Sequence, residues 1–305
     1  MKQRIALFFC CLLLCFVFSS CTQEPEPEPE ETYPVTVFGV KFERSPSSVI
    51  SLSPVITEML VALGYEDRLI ARTDGCDFDE RLASLPSIGS GINPDIDQLV
   101  SLNPDLVLTV RPLSKQALEA LGTHNIRAVT VPLANNLREL QSYYSAVACI
   151  FAGTDPGIAL GTSTVQPYID KLINLQKSLP TEKINFLLLS DLSGTVITGD
   201  SFASSLLSYL GNNVAEDGTQ NQYDINTALM TNPDTIFIYN PFTLENLQAD
   251  PMYAQTEAVV NHRVFSIDGT LFERKSLSSV DVICELAEKV YSEANGTGSE
   301  EEPQE

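Results

Sequence analysis

Two histidines, His124 and His262, are all that this chain carries, and it has no tryptophan. A bare-metal site built from several imidazoles cannot be assembled from so few. No C-x-x-C pair offers thiolates instead, so no metal ligands are assigned. Basic residues are scarce as well: 18 Lys and Arg face 40 Asp and Glu, for a formal net charge of −22. Such an acidic surface repels phosphate backbones and no basic stripe interrupts it, which argues against nucleic acid as a partner. Seven cysteines overstate the thiol content, because four lie within the first 21 residues. Cys76, Cys149 and Cys284 remain, odd in number and far apart; they read as buried thiols, and their pairing stays open. A G-x-S-x-G nucleophile motif is missing. Gly199-Asp200-Ser201 has no Asp-x-x-His downstream, and His262 stands in Asn-His-Arg. That triplet reads as a turn in which Asp200 or Ser201 caps the next helix. No enzyme and no resident cofactor are expected.

What is present begins with one apolar run. Ile5 to Phe18 spans 14 residues, short of the roughly 18–20 that cross a bilayer as a helix. Lys2 and Arg4 precede it and small residues follow, the layout of a secretory signal over residues 1–20. Phe18-Ser19-Ser20-Cys21 resembles a bacterial lipobox, in which the cysteine becomes the lipid-bearing first residue of the mature protein. Residues 21–43 then read as lipidated Cys21 and a tether. Its TQEPEPEPEETYP stretch has almost no apolar side chains, while proline and like-charged glutamates keep it extended. Losing Lys2 and Arg4 would take the charge to −24, and nine glutamates in the tether and tail leave about −15 on the folded part. Residues 295–305 read as a disordered acidic tail. An anchor followed by a tether implies a folded domain held on the extracytoplasmic face of a membrane.

From Ser48 onward strands and helices alternate. VISL (49–52) is a strand, and Ser53-Pro54 starts a helix that stops at Gly64. RLIART (68–73), LVLTV (106–110) and RAVTVP (127–132) are strands; IDQLVSL (96–102) and SKQALEALG (114–122) are helices. The second half repeats the scheme with strands at 183–191, 235–239 and 263–268 and helices at 201–211, 225–231 and 277–294. Residues 133–154 receive no element. Asp97-QLVSLNPDLVL matches Asn226-TALMTNPDTIFI at a constant offset of 129, so two similarly built lobes are expected. The class is α/β: two lobes, 44–154 and 183–294, each with a parallel-type sheet flanked by helices. Residues 155–182 form one long connecting helix, with Pro167 expected to kink or divide it.

SVISLSPVITEMLVALGYEDRLIART and LPSIGSGINPDIDQLVSLNPDLVLT resemble the first lobe of the iron-chelate and cobalamin class of ABC-transporter substrate-binding proteins. GTVITGDSFASSLLSYLGNNVAED and RVFSIDGTLFERKSLSSVDVICELAEKVY resemble its second lobe. The resemblance implies a bilobal receptor that captures a chelate in the cleft between its lobes. It would deliver the ligand to a permease driven by an ATPase.

Ser53 and Thr57 sit where a strand end meets a helix N-terminus, a position suited to an anionic group. Arg72, Asp74 and Asp77 flank the loop after the next strand, Arg111 follows LVLTV, and Tyr223 precedes a second-lobe helix. Phe272 and Arg274 fall where the family places pocket residues. Arg274 offers bidentate hydrogen bonds and Phe272 a flat apolar face. The plainer readings are a surface ion pair for Arg274, a solvated loop arginine for Arg111, and core packing for Phe272 and Tyr223. Receptors of this class also carry a permease-docking carboxylate seven residues before the proline of each N-P-D turn. Counting back gives Asp97 in the first lobe and the uncharged Asn226 in the second, where Asp224 is the substitute.

The ligand stays open among an iron-siderophore, haem and a cobalamin-type corrinoid. Lack of tryptophan weakens the corrinoid reading, and small residues such as Gly75 and Gly91 suit a bulky ligand. The alternative function is a lipid-anchored sensor or interaction protein of the same fold without a permease.

Overall fold

The structure, a computed structural model, describes residues 33–76 and 80–293. The leader, Cys21, the tail and Asp77 lie outside the described residues. The chain opens with an antiparallel hairpin, β1 (Val35–Val37) and β2 (Val40–Phe42). Val35, Val37 and Phe42 are buried in the main core, and the Tyr33 hydroxyl donates to the Ile150 carbonyl at 2.7 Å. The tether expected to reach residue 43 therefore gives way to folded chain at its C-terminal end. Alternate apolar residues in VTV and VKF suffice for two short strands once a helix face covers them.

The first lobe follows: β3 (Val49–Ser51), α1 (Pro54–Ala62), β4 (Leu69–Ala71), α2 (Glu80–Ala83), α3 (Ile96–Leu102), β5 (Leu106–Thr109), α4 (Lys115–Thr123) and β6 (Arg127–Thr130). Its parallel sheet has the order β4-β3-β5-β6. Two helices come next, α5 (Leu137–Ala152) and α6 (Thr154–Ser178). The second lobe contains β7 (Ile184–Leu189), α7 (Phe202–Leu207), β8 (Gly211–Asn213), α8 (Ile225–Met230) and β9 (Thr235–Tyr239). It continues with α9 (Leu244–Ala249), α10 (Glu257–Val260), β10 (Val264–Ile267), α11 (Gly269–Glu273) and α12 (Ser279–Glu293). Its parallel sheet has the order β8-β7-β9-β10. The two orders are the same when β3 is matched to β7, so the sequence repeat is a repeat of topology. Every residue of β3 and β5 is buried, as are all but one in each of β7 and β9, the mark of strands covered on both faces.

The N-P-D turns show why the repeat is kept. Asn103 and Asn232 end their helices in the left-handed region, at φ 46° and φ 51°, where asparagine is tolerated better than most residues. Two positions on, the Asp105 carboxylate accepts from the Ser47 N–H at 2.7 Å and the Asp234 carboxylate from the Asn185 N–H at 2.8 Å. Each aspartate ties the turn to the start of its lobe's central strand. Hydrogen bonds from the Ser47 side chain hold the Asp105 carboxyl below its ordinary range.

The connecting helix, expected over 155–182, spans Thr154–Ser178 and continues through Pro167 without a break in its assignment. It does not work alone. A Cβ on Gly157 would lie 2.4 Å from backbone atoms of Cys149, and one on Gly161 would lie 2.3 Å from backbone atoms of Ser145. Gln141 Nε2 reaches Gln166 Oε1 at 3.3 Å. As positions on α5 fall, their partners on α6 rise, so the two helices run antiparallel from the turn at Gly153. Lys171 of α6 pairs with Asp281 of α12 at 2.6 Å, fastening the helical hairpin to the second lobe. Of the three thiols, Cys76 and Cys149 are buried and Cys284 is half-buried; all three are free. No described helix is long and apolar enough to cross a membrane.

Candidate functional site

In each sheet the chain runs from the central strand to one neighbour and then crosses to the other side. The carboxyl ends of the strands flanking that reversal form a crevice, the usual ligand position in open α/β sheets. Both lobes have a concavity there. In the first, about 300 Å³ in volume, the walls are Leu52 to Pro54 after β3, Thr109 to Arg111 after β5, Thr73 to Gly75 after β4, and Gly89 to Ile92. In the second, about 380 Å³, they include Ser190 after β7, Tyr239 at the end of β9, Ser201 to Ala203, and Phe272, Glu273 and Lys275. Two hydrogen bonds run between the lobes: Lys275 Nζ donates to Asn135 Oδ1 at 3.1 Å, and the Ser278 N–H to Glu58 Oε1 at 3.4 Å.

The first concavity is made of small and hydroxylic groups. Ser53 is 4% exposed and precedes α1, yet its side chain makes no capping hydrogen bond. Its carbonyl accepts from the Ser51 hydroxyl at 2.9 Å. Gly91 lets this loop lie against the strand end, because a Cβ there would sit 2.0 Å from the Leu52 carbonyl oxygen. The Thr109 hydroxyl donates to the Arg111 carbonyl at 2.8 Å and accepts from the Arg111 N–H at 3.2 Å, fixing the turn that presents the exposed arginine. Asp74 is exposed and accepts from the Ser87 hydroxyl. Ile92, 66% exposed, supplies an apolar face at the rim.

Other sequence candidates lie elsewhere. Thr57 is fully buried, with its hydroxyl 3.1 Å from the Ser53 carbonyl and 3.2 Å from Cys76 Sγ. One helical turn separates it from Ser53, but it packs into the lobe instead of lining the crevice. Arg72 is half-buried and its guanidinium donates to the carbonyls of Leu82 at 2.9 Å and Thr73 at 3.2 Å. It braces the loop and lines neither concavity. Tyr223 packs partly buried against the second-lobe core, under Gly218. Phe272 is 2% exposed; it belongs to the core and meets the second concavity only as part of its floor. Arg274 is half-buried and does not line that concavity, whereas its neighbours Glu273 and Lys275 do. Lys275, Glu273, Tyr239 and Ile92 are among the lining residues that the sequence reading did not name.

Electrostatics distinguish the second concavity. Burial lowers the Lys275 pKa, and the charges of Glu139 and Asp200 oppose that effect. Asp200 is itself held low by hydrogen bonds from the Thr198 hydroxyl and the Gln220 N–H. Burial raises the Tyr239 phenol above its ordinary range. At the strand end, burial would raise Asp191, but hydrogen bonds from Ser193 and Thr195 outweigh it and bring the carboxyl to about 2. Ser201 caps α7, accepting from the Ser204 N–H at 3.1 Å, as the turn reading of Gly199-Asp200-Ser201 expects. Among the described residues no three His, Cys, Asp or Glu side chains come together as a possible metal site.

On the outer helices, Asp97 is exposed in the first turn of α3, after the cap Asp95. Asp224 is the equivalent cap of α8, accepting from the Thr227 N–H and hydroxyl, both at 2.8 Å. It therefore matches Asp95, not Asp97, and Asn226 occupies the Asp97 position.

Two α/β units of repeated topology, their crevices joined by a helical hairpin, match one family model across residues 49–271. The chain belongs to the periplasmic binding protein family. These proteins are transport components that bind solutes and do not transform them. The ABC transporter substrate-binding lipoprotein YvrC of Bacillus subtilis is 24% identical over 95% of this chain and 98% of its own length. The vitamin B12-binding protein of Vibrio vulnificus is 23% identical over 82% of this chain and 93% of its own. Among solved structures, the periplasmic haem-binding protein HutB of Vibrio cholerae shares the fold. Its TM-score is 0.66 at 21% identity, over 78% of this chain and 98% of that one.

Proposed function

We propose that this protein is the lipid-anchored, extracytoplasmic substrate-binding component of an ABC importer. It captures a metal chelate between its lobes and delivers it to a permease and its ATPase. The observation that carries this reading is the pair of concavities at equivalent reversal points of two repeated sheets, with Lys275 of the second concavity bonded across to Asn135 of the first lobe. Glycine and hydroxyl walls in the first lobe leave the room to the ligand. Relatives that bind vitamin B12 or haem, and a lipoprotein relative, support it.

Within that class, a chelate whose metal is already saturated by its own donors fits best: an iron-siderophore or a cobalamin-type corrinoid. Haem iron draws an axial His, Cys, Met or Tyr from its protein. Neither concavity has a histidine in its lining, and the Tyr239 ring is packed against Gly269. A thermal-shift panel of ferric siderophores, haemin and cyanocobalamin tests this. A bound chelate at 100 times its dissociation constant should stabilise the native state by about 2.7 kcal/mol. No shift with any of them would overturn the reading, and a shift with haemin alone would overturn the preference.

Anchoring rests on Cys21. The Cys21→Ala variant should leave the membrane fraction or remain unprocessed; normal membrane retention would sink the anchor.

Docking rests on Asp97. Asp97→Ala should reduce uptake while leaving ligand affinity intact, because an exposed rim charge acts on association and salt dependence. The defect should be largest at low ionic strength and shrink as salt screens the contact that wild type makes. Asp224→Ala separates two cases: loss of uptake means the second lobe docks through its capping acid, whereas normal uptake means docking is asymmetric. Asn226 also favours a second reading, a sensor or interaction protein without a permease. An adjacent gene pair for a multi-span permease and an ATPase would decide against that.

A further inference from the structure

We infer that Lys275 selects the charge of the ligand, its ammonium exchanging Asn135 for an oxygen of an anionic chelate. This rests on the reading of the cleft as a chelate site. Lys275 lines the second-lobe concavity, yet its Nζ is bonded at 3.1 Å to a residue 140 positions away on the first lobe. That partner is an exposed neutral amide, a weaker acceptor for an ammonium than an oxygen carrying negative charge. The carboxylates whose charge Lys275 feels are engaged elsewhere. Glu139 accepts from the Asn135 N–H at 2.9 Å and from the Asn136 amide at 3.1 Å. Asp200 accepts from Thr198 at 2.6 Å and Gln220 at 2.9 Å. In a chain with 40 acidic residues, a half-buried lysine whose hydrogen bond goes to an amide is held ready for a stronger acceptor. A ligand oxygen carrying negative charge would form a shorter, charge-assisted bond.

The backbone points the same way. Lys275 follows α11 in the left-handed region at φ 51°, the helix-terminating position that glycine normally fills. Its N–H still closes the turn onto the Phe272 carbonyl at 3.1 Å, which glycine would do without a Cβ in the way. A long cationic side chain at such a place fits a functional demand better than a folding one. Arg111, exposed at the first-lobe crevice, supplies a cation on the other lobe. Two cations, one from each lobe, offset locally the repulsion that so acidic a protein exerts on an anion.

The test measures affinities of wild type, Lys275→Met, Lys275→Arg, Lys275→Gly and Asn135→Ala for three probes. These are a ferric tris-catecholate (anionic), a neutral ferric tris-hydroxamate and cyanocobalamin. Lys275→Met should weaken the tris-catecholate about 30-fold, the order of a lost hydrogen bond to a charged group, and change the neutral probes less than about 3-fold. Lys275→Arg should keep most of the affinity, and Asn135→Ala should keep or raise it. Lys275→Gly should lose the anionic probe as Lys275→Met does while melting no lower than wild type. Equal losses for all probes, unchanged tris-catecholate binding by Lys275→Met, or a lowered melting temperature for Lys275→Gly would overturn the inference. So would a wild type that binds only neutral probes, which leaves the chelate reading standing. Binding of none of the three overturns that reading, and this one with it.

Discussion

Gly157→Leu should lower the thermal midpoint by roughly 6–12 °C, from about 3 kcal/mol or more of overpacking at about 2–4 °C per kcal/mol. The atoms that a Cβ at 157 would meet are backbone atoms of Cys149 and Ala148, at 2.4 to 2.8 Å. Backbone inside a helix cannot rotate away as a side chain can, so α5 and α6 would have to separate. That separation propagates, because Cys149, Val147, Val165 and Leu172 belong to the main core. It also bears on function, since the hairpin joins the lobes. Gly161→Leu meets Ser145 backbone at 2.3 Å and should behave alike. Gly122 supplies the control: it lies near the end of α4 with nothing within 4 Å of its Cβ position. Gly122→Ala should stabilise by about 0.4–1 kcal/mol through loss of unfolded-chain entropy. Urea or thermal denaturation measures all three. An unchanged midpoint for Gly157→Leu would mean that the helices are not clasped at this point.

The second large effect is on binding. Gly91→Val should weaken the chelate found by the panel at least about 30-fold, the order of a binding hot spot. Its cost in stability should be smaller, about 1 kcal/mol. The Cβ would sit 2.0 Å from the Leu52 carbonyl oxygen and 3.3 Å from Thr73 Cγ2. Leu52 follows a buried central strand and cannot yield, whereas residues 89–94 carry no helix or strand and none of them is buried. The loop is therefore the part that moves. Since Gly89 to Ile92 form one wall of the first-lobe concavity, the displacement falls on the proposed site. Gly75→Ala, whose Cβ would touch only Pro54 Cγ at 3.2 Å, should cost much less. Ligand affinity by calorimetry and the midpoint without ligand separate the two effects. Equal affinity for Gly91→Val and wild type would remove this wall from the site.

The same contrast explains what could be read in the chain beforehand. Asp95, Ser114 and Ser201 cap their helices as the local signals require, because a cap needs only a side chain and an N–H three residues on. The hairpin at 35–42 was hidden by its setting: short strands next to a Glu-Pro tract become strands only when α5 covers them. Gly-Asn-Asn at 211–213 has no strand propensity, and β8 exists because β7 offers its edge and Asn213 finds bonds to Ile197 and Ser204 at 3.1 and 2.9 Å. The helix α5 carries a regular apolar face, but its clasp with α6 depends on two glycines meeting a backbone 8 and 16 residues away.

For the site, sequence order alone pointed to the strand ends, and Ser53, Asp74 and Arg111 do line the first-lobe concavity there. It also determined the repeat, and with it two lobes of equal topology, because periodicity and caps are written locally. Which of two neighbouring residues lines a concavity was decided only in three dimensions. Thr57 turns inward although Ser53 lines the crevice, since one faces the lobe's core and the other the end of the strand. Arg72 is drawn to loop carbonyls that approach it only after the loop has folded back. Lys275 lines the second concavity in place of Arg274 because the chain turns left-handed at 275, a conformation that no side-chain pattern in this stretch announces.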